Sequence, residues 1–254
     1  MKTKQGSIII LGVGYPKMVA EGTNLPDLVR DIASKSGFGL KNGDIVILSH
    51  TAVAKSLGLK TRLAKLRPSA FAMSLAERTG QEPGLIELVL RESKELVRVE
   101  DHHIICRSKA GIISAHAGID VSNVDGGRSA VSVPEDPDEV ARRFRACFKK
   151  LGLDVAVIIT DTLGRPFRMG EVNFAIGSAG IAPLLDLRGK KDLVGRTLRV
   201  KRIAIADELA AASELVTGSS SEGVVGAIIR GYHFKHSRKG ARSLQRPPSR
   251  DLFA

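Results

Sequence analysis

Leu153-Asp154-Val155-Ala156-Val157-Ile158-Ile159-Thr160-Asp161-Thr162-Leu163-Gly164-Arg165-Pro166-Phe167-Arg168 is the stretch on which the fold turns. Its apolar, β-branched part, 153–160, has the length of a strand and the continuity of one buried on both faces. Such a strand delivers a carboxylate, Asp161, and a hydroxyl, Thr162, at its end before the chain turns at Gly164. Hard oxygen ligands held at a cleft mouth suit a divalent cation, although an aspartate that caps the following turn leaves the same letters. Working outward, strand-like runs fall over 7–11, 45–48, 103–106, 129–133, 173–178, 197–206 and 224–229. Helical spacing begins where Asn24 can cap Leu25, Leu28, Val29 and Ile32. It recurs where Asp136-Pro137 opens a segment carrying Val140, Phe144, Cys147, Phe148 and Leu151 ahead of Gly152. Further helices are expected over 85–96 and 206–216. Strands and helices do not alternate regularly, so the expected class is α+β, with mixed and antiparallel sheets and flanking helices. No fixed-period repeat and no low-complexity linker divides the chain.

With 254 residues, 43% of them apolar and 26% charged, the chain can bury a proper core, which excludes disorder, collagen and coiled coil. No apolar run approaches the roughly 20 residues of a membrane span, so no membrane partner is expected. The start reads as a strand rather than a signal peptide, because Gly12, Gly14 and Pro16 cut the apolar run after Leu11. Two cysteines, Cys106 and Cys147, make neither a disulfide framework nor a zinc site, and a reducing cytoplasm fits them. The net charge is +12, and six cations without an acid fall between Lys235 and Arg250. A basic surface attracts nucleic acid or small polyanions such as nucleotides, and charge alone does not choose.

Three further constellations can carry chemistry. In Ala115-His116-Ala117-Gly118-Ile119-Asp120-Val121-Ser122-Asn123 an acid and an amide stand in a small-residue loop. Asp120 can be a second carboxylate for a metal and Asn123 a partner for ribose or phosphate; an Asx-type turn explains the same residues. His116 reads as a satisfied interior histidine, since no second histidine stands at metal spacing. After the run 45–48, Ser49-His50-Thr51-Ala52-Val53-Ala54-Lys55 can present Thr51 and Lys55 to phosphate oxygens, or leave Lys55 solvated on a helix face. Thr217-Gly218-Ser219-Ser220-Ser221-Glu222-Gly223 is rich in hydroxyls and N–H groups suited to phosphates, and equally suits a surface turn. There is no G-x-x-x-x-G-K-[ST], and Gly12-Val13-Gly14 lacks the third glycine of the dinucleotide fingerprint. A nucleotide site here must use an uncommon fold.

As an ordered set, these segments resemble the coenzyme F420-0:γ-glutamyl ligase family. The likeness rests on Ala117 to Val124, on Val157 to Thr162 with Gly164-Arg165-Pro166-Phe167-Arg168, and on Ala175-Ile176-Gly177. Arg188-Gly189, Asp192-Leu193, Gly195-Arg196 and Ala206-Asp207-Glu208-Leu209-Ala210-Ala211-Ala212 add to it. So does the ending, Gly240-Ala241-Arg242, Arg246-Pro247-Pro248 and Asp251-Leu252-Phe253. The resemblance implies a GTP-dependent ligase that adds L-glutamate to the lactyl-phospho tail of coenzyme F420-0. It implies a catalytic unit over 1–234, divisible into two interleaved subdomains, with a basic segment over 235–254, and a homodimer. Carried over by position, Asp120 and Asp161 bind one Mg2+ or Mn2+ ion and Thr162 helps bind a second. Nucleotide contacts come from Pro16, Lys17, Met18 and Val19, from His50, Thr51 and Lys55, from Asn123, and from Thr217, Gly218, Ser219, Ser220, Ser221, Glu222, Gly223 and Val224.

Three departures bear on the site. This chain has His50-Thr51 where relatives carry Ser-Thr, and Ser56-Leu57-Gly58-Leu59 replaces an acidic-glycine-arginine run. Where a relative has an acidic second-metal ligand this chain has Ser219, which leaves Glu222, the nearest carboxylate in the loop, or Ser219 itself to serve as ligand of the second metal. The expected chemistry passes through an acyl phosphate, with Lys55 offsetting phosphate charge and Arg165 and Arg168 holding anionic substrate groups; pairing of those arginines with nearby acids is the plainer reading. The alternatives are a ligase of the same family with another acidic acceptor, or a basic nucleic-acid-binding protein. Against the latter, only 4% of residues are aromatic and the basic tail has no stacking rings beyond Tyr232 and Phe234.

Overall fold

The computed structural model describes residues 6–250. The Asp251-Leu252-Phe253 part of the resemblance lies outside the described residues. The chain begins with β1 (Ile9–Gly14), α1 (Leu25–Lys35), β2 (Ile45–Ser49) and α2 (His50–Ser56). It continues with β3 (Lys60–Arg62), α3 (Ala70–Thr79), α4 (Pro83–Glu92), β4 (Ser93–Glu100), β5 (His103–Ser108), β6 (Ile113–Ala115) and β7 (Ser129–Val131). Then follow α5 (Pro137–Lys150), β8 (Ala156–Arg165), β9 (Arg168–Ala179), β10 (Leu185–Asp186), β11 (Arg202–Ile203), α6 (Ile205–Thr217) and β12 (Val224–Arg230). The class is α+β.

The main sheet has five strands in the order β1-β12-β2-β8-β9. Only β2 and β8 run parallel, and every other neighbouring pair is antiparallel. The continuous apolar runs of β2 and β8 are explained by helices on both faces. Val46, Leu48, Val157 and Ile159 share a core with Val29 of α1 and Val140, Phe144 and Phe148 of α5. The alternate residues Ile45, Ile47, Ala156 and Ile158 pack with Ala206, Leu209 and Ala210 of α6. Period-two side-chain alternation thus feeds two cores from one strand. Asn24 and Asp136 cap α1 and α5 through their side chains, as their placement before Leu25-Pro26 and Pro137 predicts. Helix α5 lies close on β9 at Gly177, where an added Cβ would stand 2.4 Å from the Pro137 carbonyl oxygen.

A smaller sheet, β4-β5-β6, packs with α3 and α4 around Ala72, Leu75, Ala76, Ile86, Val89, Ile104 and Cys106. The tail folds back on the main sheet: Ala241 is buried beside Phe234 and Leu244. Buried Asp138 accepts the N–H groups of Ala241, Arg242 and Ser178.

Some expected elements differ. The helix over 85–96 ends at Glu92, where the Ser93 hydroxyl donates to the Val89 carbonyl and the chain turns into β4. Pairing of β4 with β5 overrides helical spacing there. The strand over 197–206 shrinks to Arg202–Ile203, because its cations leave no face to bury and Val200 stays exposed. Gly164 does not turn the chain: β8 runs on to Arg165, and the reversal falls at Pro166-Phe167, where Phe167 adopts φ +62°. Asp161 therefore lies within a long hairpin and not at a strand end.

Candidate functional site

Strand register brings the candidate segments to one edge of the main sheet. In the parallel pair β2 and β8, Ser49 stands opposite Thr160, so His50 and Asp161 follow side by side. Strand β12 runs antiparallel to β2, with Gly226 opposite Leu48, so its start and the 217–223 loop before it reach the same edge. Gly14 of β1 pairs with Val224, and the Tyr15 N–H donates to the Gly223 carbonyl at 2.6 Å, which leads residues 16–19 there too. Ligands of open sheets gather at the carboxyl ends of parallel strands for the same topological reason. Asp120, in the segment after β6, arrives through a bridge to Val131 of β7.

The result is a cleft of about 590 Å³. Its wall holds Pro16, Lys17, Met18, Val19, His50, Thr51, Lys55, Asp120, Asn123, Asp161, Thr162 and every residue from Thr217 to Val224. Arg165 and Arg168 are outside it, at the hairpin tip, although Leu163 and Gly164 line it. Arg165 donates to the Met169 carbonyl at 3.0 Å, and neither arginine has an ion pair among the described residues.

His50 and Thr51 tie the two distant aspartates together. His50 is 4% exposed, and its Nδ1 lies 2.9 Å from Asp161 Oδ1. Thr51 Oγ1 donates to Asp120 Oδ2 at 3.0 Å. Burial works against a charge on His50, but Asp161, its hydrogen bond and Asp120 together outweigh it and hold the histidine above its ordinary pKa. His50 Nε2 has no partner among the described residues. Asp120 is steadied by the Ser122 N–H at 2.7 Å and the Ser122 hydroxyl at 2.9 Å, so the Asx-type turn is present and the carboxylate still faces the cleft. Three consecutive residues, His116, Ala117 and Gly118, adopt positive φ just before it. Backbone strain of this kind collects at binding sites. At Gly118 an added Cβ would stand 3.1 Å from Asp161 Oδ2, which shows how closely the Asp120 segment approaches the Asp161 strand. His116 is not the satisfied interior histidine expected: its buried Nε2 has no partner among the described residues, and it lines the cleft.

Lys55 donates to the Asn123 carbonyl at 2.5 Å, and the Asn123 amide donates to the Ser220 carbonyl at 2.8 Å, joining α2, the Asp120 loop and the serine loop. Burial lowers the Lys55 pKa despite the pull of Asp120, with Lys60 adding to the fall. Glu222 turns back on its own loop, accepting the Ser220 N–H at 2.8 Å. The carboxylate that meets Ser219 is Glu214, which the sequence reading passed over together with Asn173 and Glu171. A readable signal existed: Glu214 is an acid in the last turn of α6, where the helix dipole disfavours it and no base stands beside it.

Five carboxylates, Asp120, Asp161, Glu171, Glu214 and Glu222, face two lysines in the cleft of a chain whose net charge is +12. That balance calls for cations. Among the described residues no three His, Cys, Asp or Glu side chains form a ready metal cage. The donor set is two carboxylates with hydroxyls around them, which fits Mg2+ or Mn2+, ions that take one or two carboxylates and draw their other ligands from water and phosphate. No helix among the described residues is long and apolar enough to cross a membrane.

Residues 15–231 match the family described as F420-0:Gamma-glutamyl ligase. The chain is 43% identical over 249 residues to the coenzyme F420:L-glutamate ligase of Methanothermobacter thermautotrophicus, covering 97% of this chain and 98% of that protein. It is 44% identical to the ligase of the same name from Methanopyrus kandleri, with 95% of each chain covered. With that of Methanocaldococcus jannaschii it shares 39% identity over 100% of this chain and 99% of the relative.

Proposed function

As the chain belongs to the F420-0:gamma-glutamyl ligase family, we propose that it joins the amine of L-glutamate to the carboxylate of coenzyme F420-0 at the expense of GTP. The observation that carries this reading is the convergence of Asp120 and Asp161, held by adjacent residues of α2 at the mouth of a cleft walled by the serine loop. Asp120, Asp161 and Thr162 would hold the divalent cations. When bound, those ions neutralise negative charge that builds up on the phosphate oxygens.

The chain's own residues supply alignment and charge. N–H groups of the 217–223 loop and the hydroxyls of Ser220 and Ser221, which Glu214 does not engage, would receive phosphate oxygens. Lys55, already turned inward, adds a positive charge beside them. The acceptor carboxylate attacks the γ-phosphorus, GDP departs with the electrons of the broken P–O bond, and an acyl phosphate forms. The glutamate amine then attacks the acyl carbon, phosphate leaves, and the amine loses a proton. No enzyme nucleophile is needed; the walls must keep water from the acyl phosphate. Arg165 and Arg168, outside the cleft at the tip of the hairpin whose base lines it, would hold the anionic tail of the acceptor at its rim. An altered acceptor within the same chemistry is compatible with His50 in the cleft wall. A nucleic-acid reading loses its stacking rings, since Tyr232 and Phe234 pack against the core.

The test is Asp161→Asn. The variant should fold and form no glutamyl adduct, by mass spectrometry, with GTP, Mn2+ or Mg2+, coenzyme F420-0 and glutamate. Undiminished product would remove Asp161 from the mechanism. We further propose that the working form is a homodimer in the cytoplasm; the exposed apolar residues Leu193, Val194 and Val200 support an interface between copies.

A further inference from the structure

We propose that Glu214 is a positioning residue: from the end of α6 it fixes the direction in which the Asn173 amide faces, and thereby makes Thr162 a lone-pair donor toward a cation. The proposal rests on the reading of Thr162 given above. Glu214 Oε2 accepts the Asn173 side-chain N–H at 2.6 Å and the Thr217 hydroxyl at 3.3 Å, while Oε1 accepts the Ser219 hydroxyl. A carboxylate only accepts, so the NH2 end of Asn173 must turn to it, and the carbonyl end must turn the other way. What waits there is Thr162, directly opposite Asn173 in the β8 and β9 register, whose hydroxyl donates to Asn173 Oδ1 at 2.7 Å. A hydroxyl has one proton. With that proton committed, Thr162 Oγ1 offers only lone pairs to the rest of the cleft, the polarity that a cation requires.

Asn173 is 4% exposed, so water cannot readily rescue a reversed amide. The same carboxylate fastens the serine loop through Thr217 and Ser219, so one residue orients both the β8 ligand and the phosphate-facing loop. Glu214 has no ion pair among the described residues and stands in the last turn of α6 with no base beside it, at the helix end that repels an anion. Its place is not explained by local stability, and the relay explains it.

The experiment is titration of Mn2+ into the full-length chain with GTP present, following free Mn2+ by electron paramagnetic resonance. Glu214→Leu, which leaves no acceptor for the Asn173 amide, should weaken uptake about 10- to 100-fold, the usual effect of disturbing a group that orients a metal ligand. Its far-ultraviolet dichroism should match wild type. The charge-conserving pair Glu214→Gln with Asn173→Asp reverses the relay while keeping its logic: the new amide donates to the new carboxylate, which still accepts from Thr162. That double variant should recover uptake. Asn173→Asp alone sets two carboxylates face to face and should also lose it, which keeps the test sound if Glu214→Leu does not fold. Wild-type uptake by Glu214→Leu, or a double variant no better than Asn173→Asp alone, would overturn the proposal. A wild-type chain that takes up no Mn2+ with GTP would overturn the reading of the cleft itself.

Discussion

Gly118 stands at φ +73°, with Val133 Cγ2 only 2.7 Å from the place a Cβ would take and Asp161 Oδ2 at 3.1 Å. Alanine there meets two penalties: about 1–2 kcal/mol for a left-handed backbone, and displacement of whatever the methyl strikes. We expect Gly118→Ala to unfold at lower denaturant concentration by roughly 1–3 kcal/mol, and to lose Mn2+ uptake beyond what its folded fraction explains, because the methyl lies between the Asp120 and Asp161 segments. Denaturant unfolding and metal titration of one preparation separate the two effects; intact uptake in a destabilised variant would refute the second. Asp120, Asp161 and the 217–223 loop were legible as one site only through the family resemblance, since from the residues alone a capping aspartate, an Asx-type turn and a surface turn explain the same letters; the structure brings all three to one cleft. Asn173 was not, and Glu214 showed only as an acid at the end of α6 that the helix dipole disfavours. Their roles arise from a cross-strand neighbour and a packed helix, relations that spacing along the chain does not encode.

Among the elements, β12 is held at its far end by Arg230, which grips both Asp44 oxygens at 2.8 and 2.6 Å and also donates to the Phe38 and Gly39 carbonyls. Asp44 is 1% exposed, so removing its partner leaves a buried, uncompensated charge. Arg230→Ala should cost about 3–5 kcal/mol, measured by chemical denaturation. Arg230→Lys should cost less, yet still measurably, since an ammonium cannot reproduce the fork. A loss below 1 kcal/mol for the alanine variant would show that Asp44 finds water or another donor. Elements such as β2, β8, α1 and α5 were readable because buried runs and capped amphipathic helices carry local signals. The strand expected over 197–206 was not, since its apolar letters alternate with cations and only a partner surface decides what they do.

At the scale of the whole molecule, two groups of apolar side chains are the most exposed among the described residues. Leu193 is 98%, Val194 90% and Val200 86% exposed on the segment between β10 and β11, and Phe167 and Met169 stand out at the hairpin tip. A turn organised by Asp192, which accepts the N–H groups of Val194 and Arg196, holds the first two outward. Isolated exposed leucines need no explanation, but three large apolar side chains presented on one ordered segment favour association. The basic residues around them, Arg188, Lys190, Lys191, Arg196, Arg199, Lys201 and Arg202, oppose it at low salt by repulsion between copies that each carry a net charge of +12. Self-association should therefore strengthen as salt is raised, opposite to the salt response of a nucleic-acid complex, which weakens as counterions compete. Light scattering behind size exclusion should find a dimer at moderate salt. The Leu193→Glu, Val194→Glu double variant should be a monomer whose stability stays within about 0.5 kcal/mol of the parent, because neither side chain packs in its own chain. A dimer that survives both substitutions would place the interface elsewhere, with the hairpin at Phe167 and Met169 as the next surface to charge.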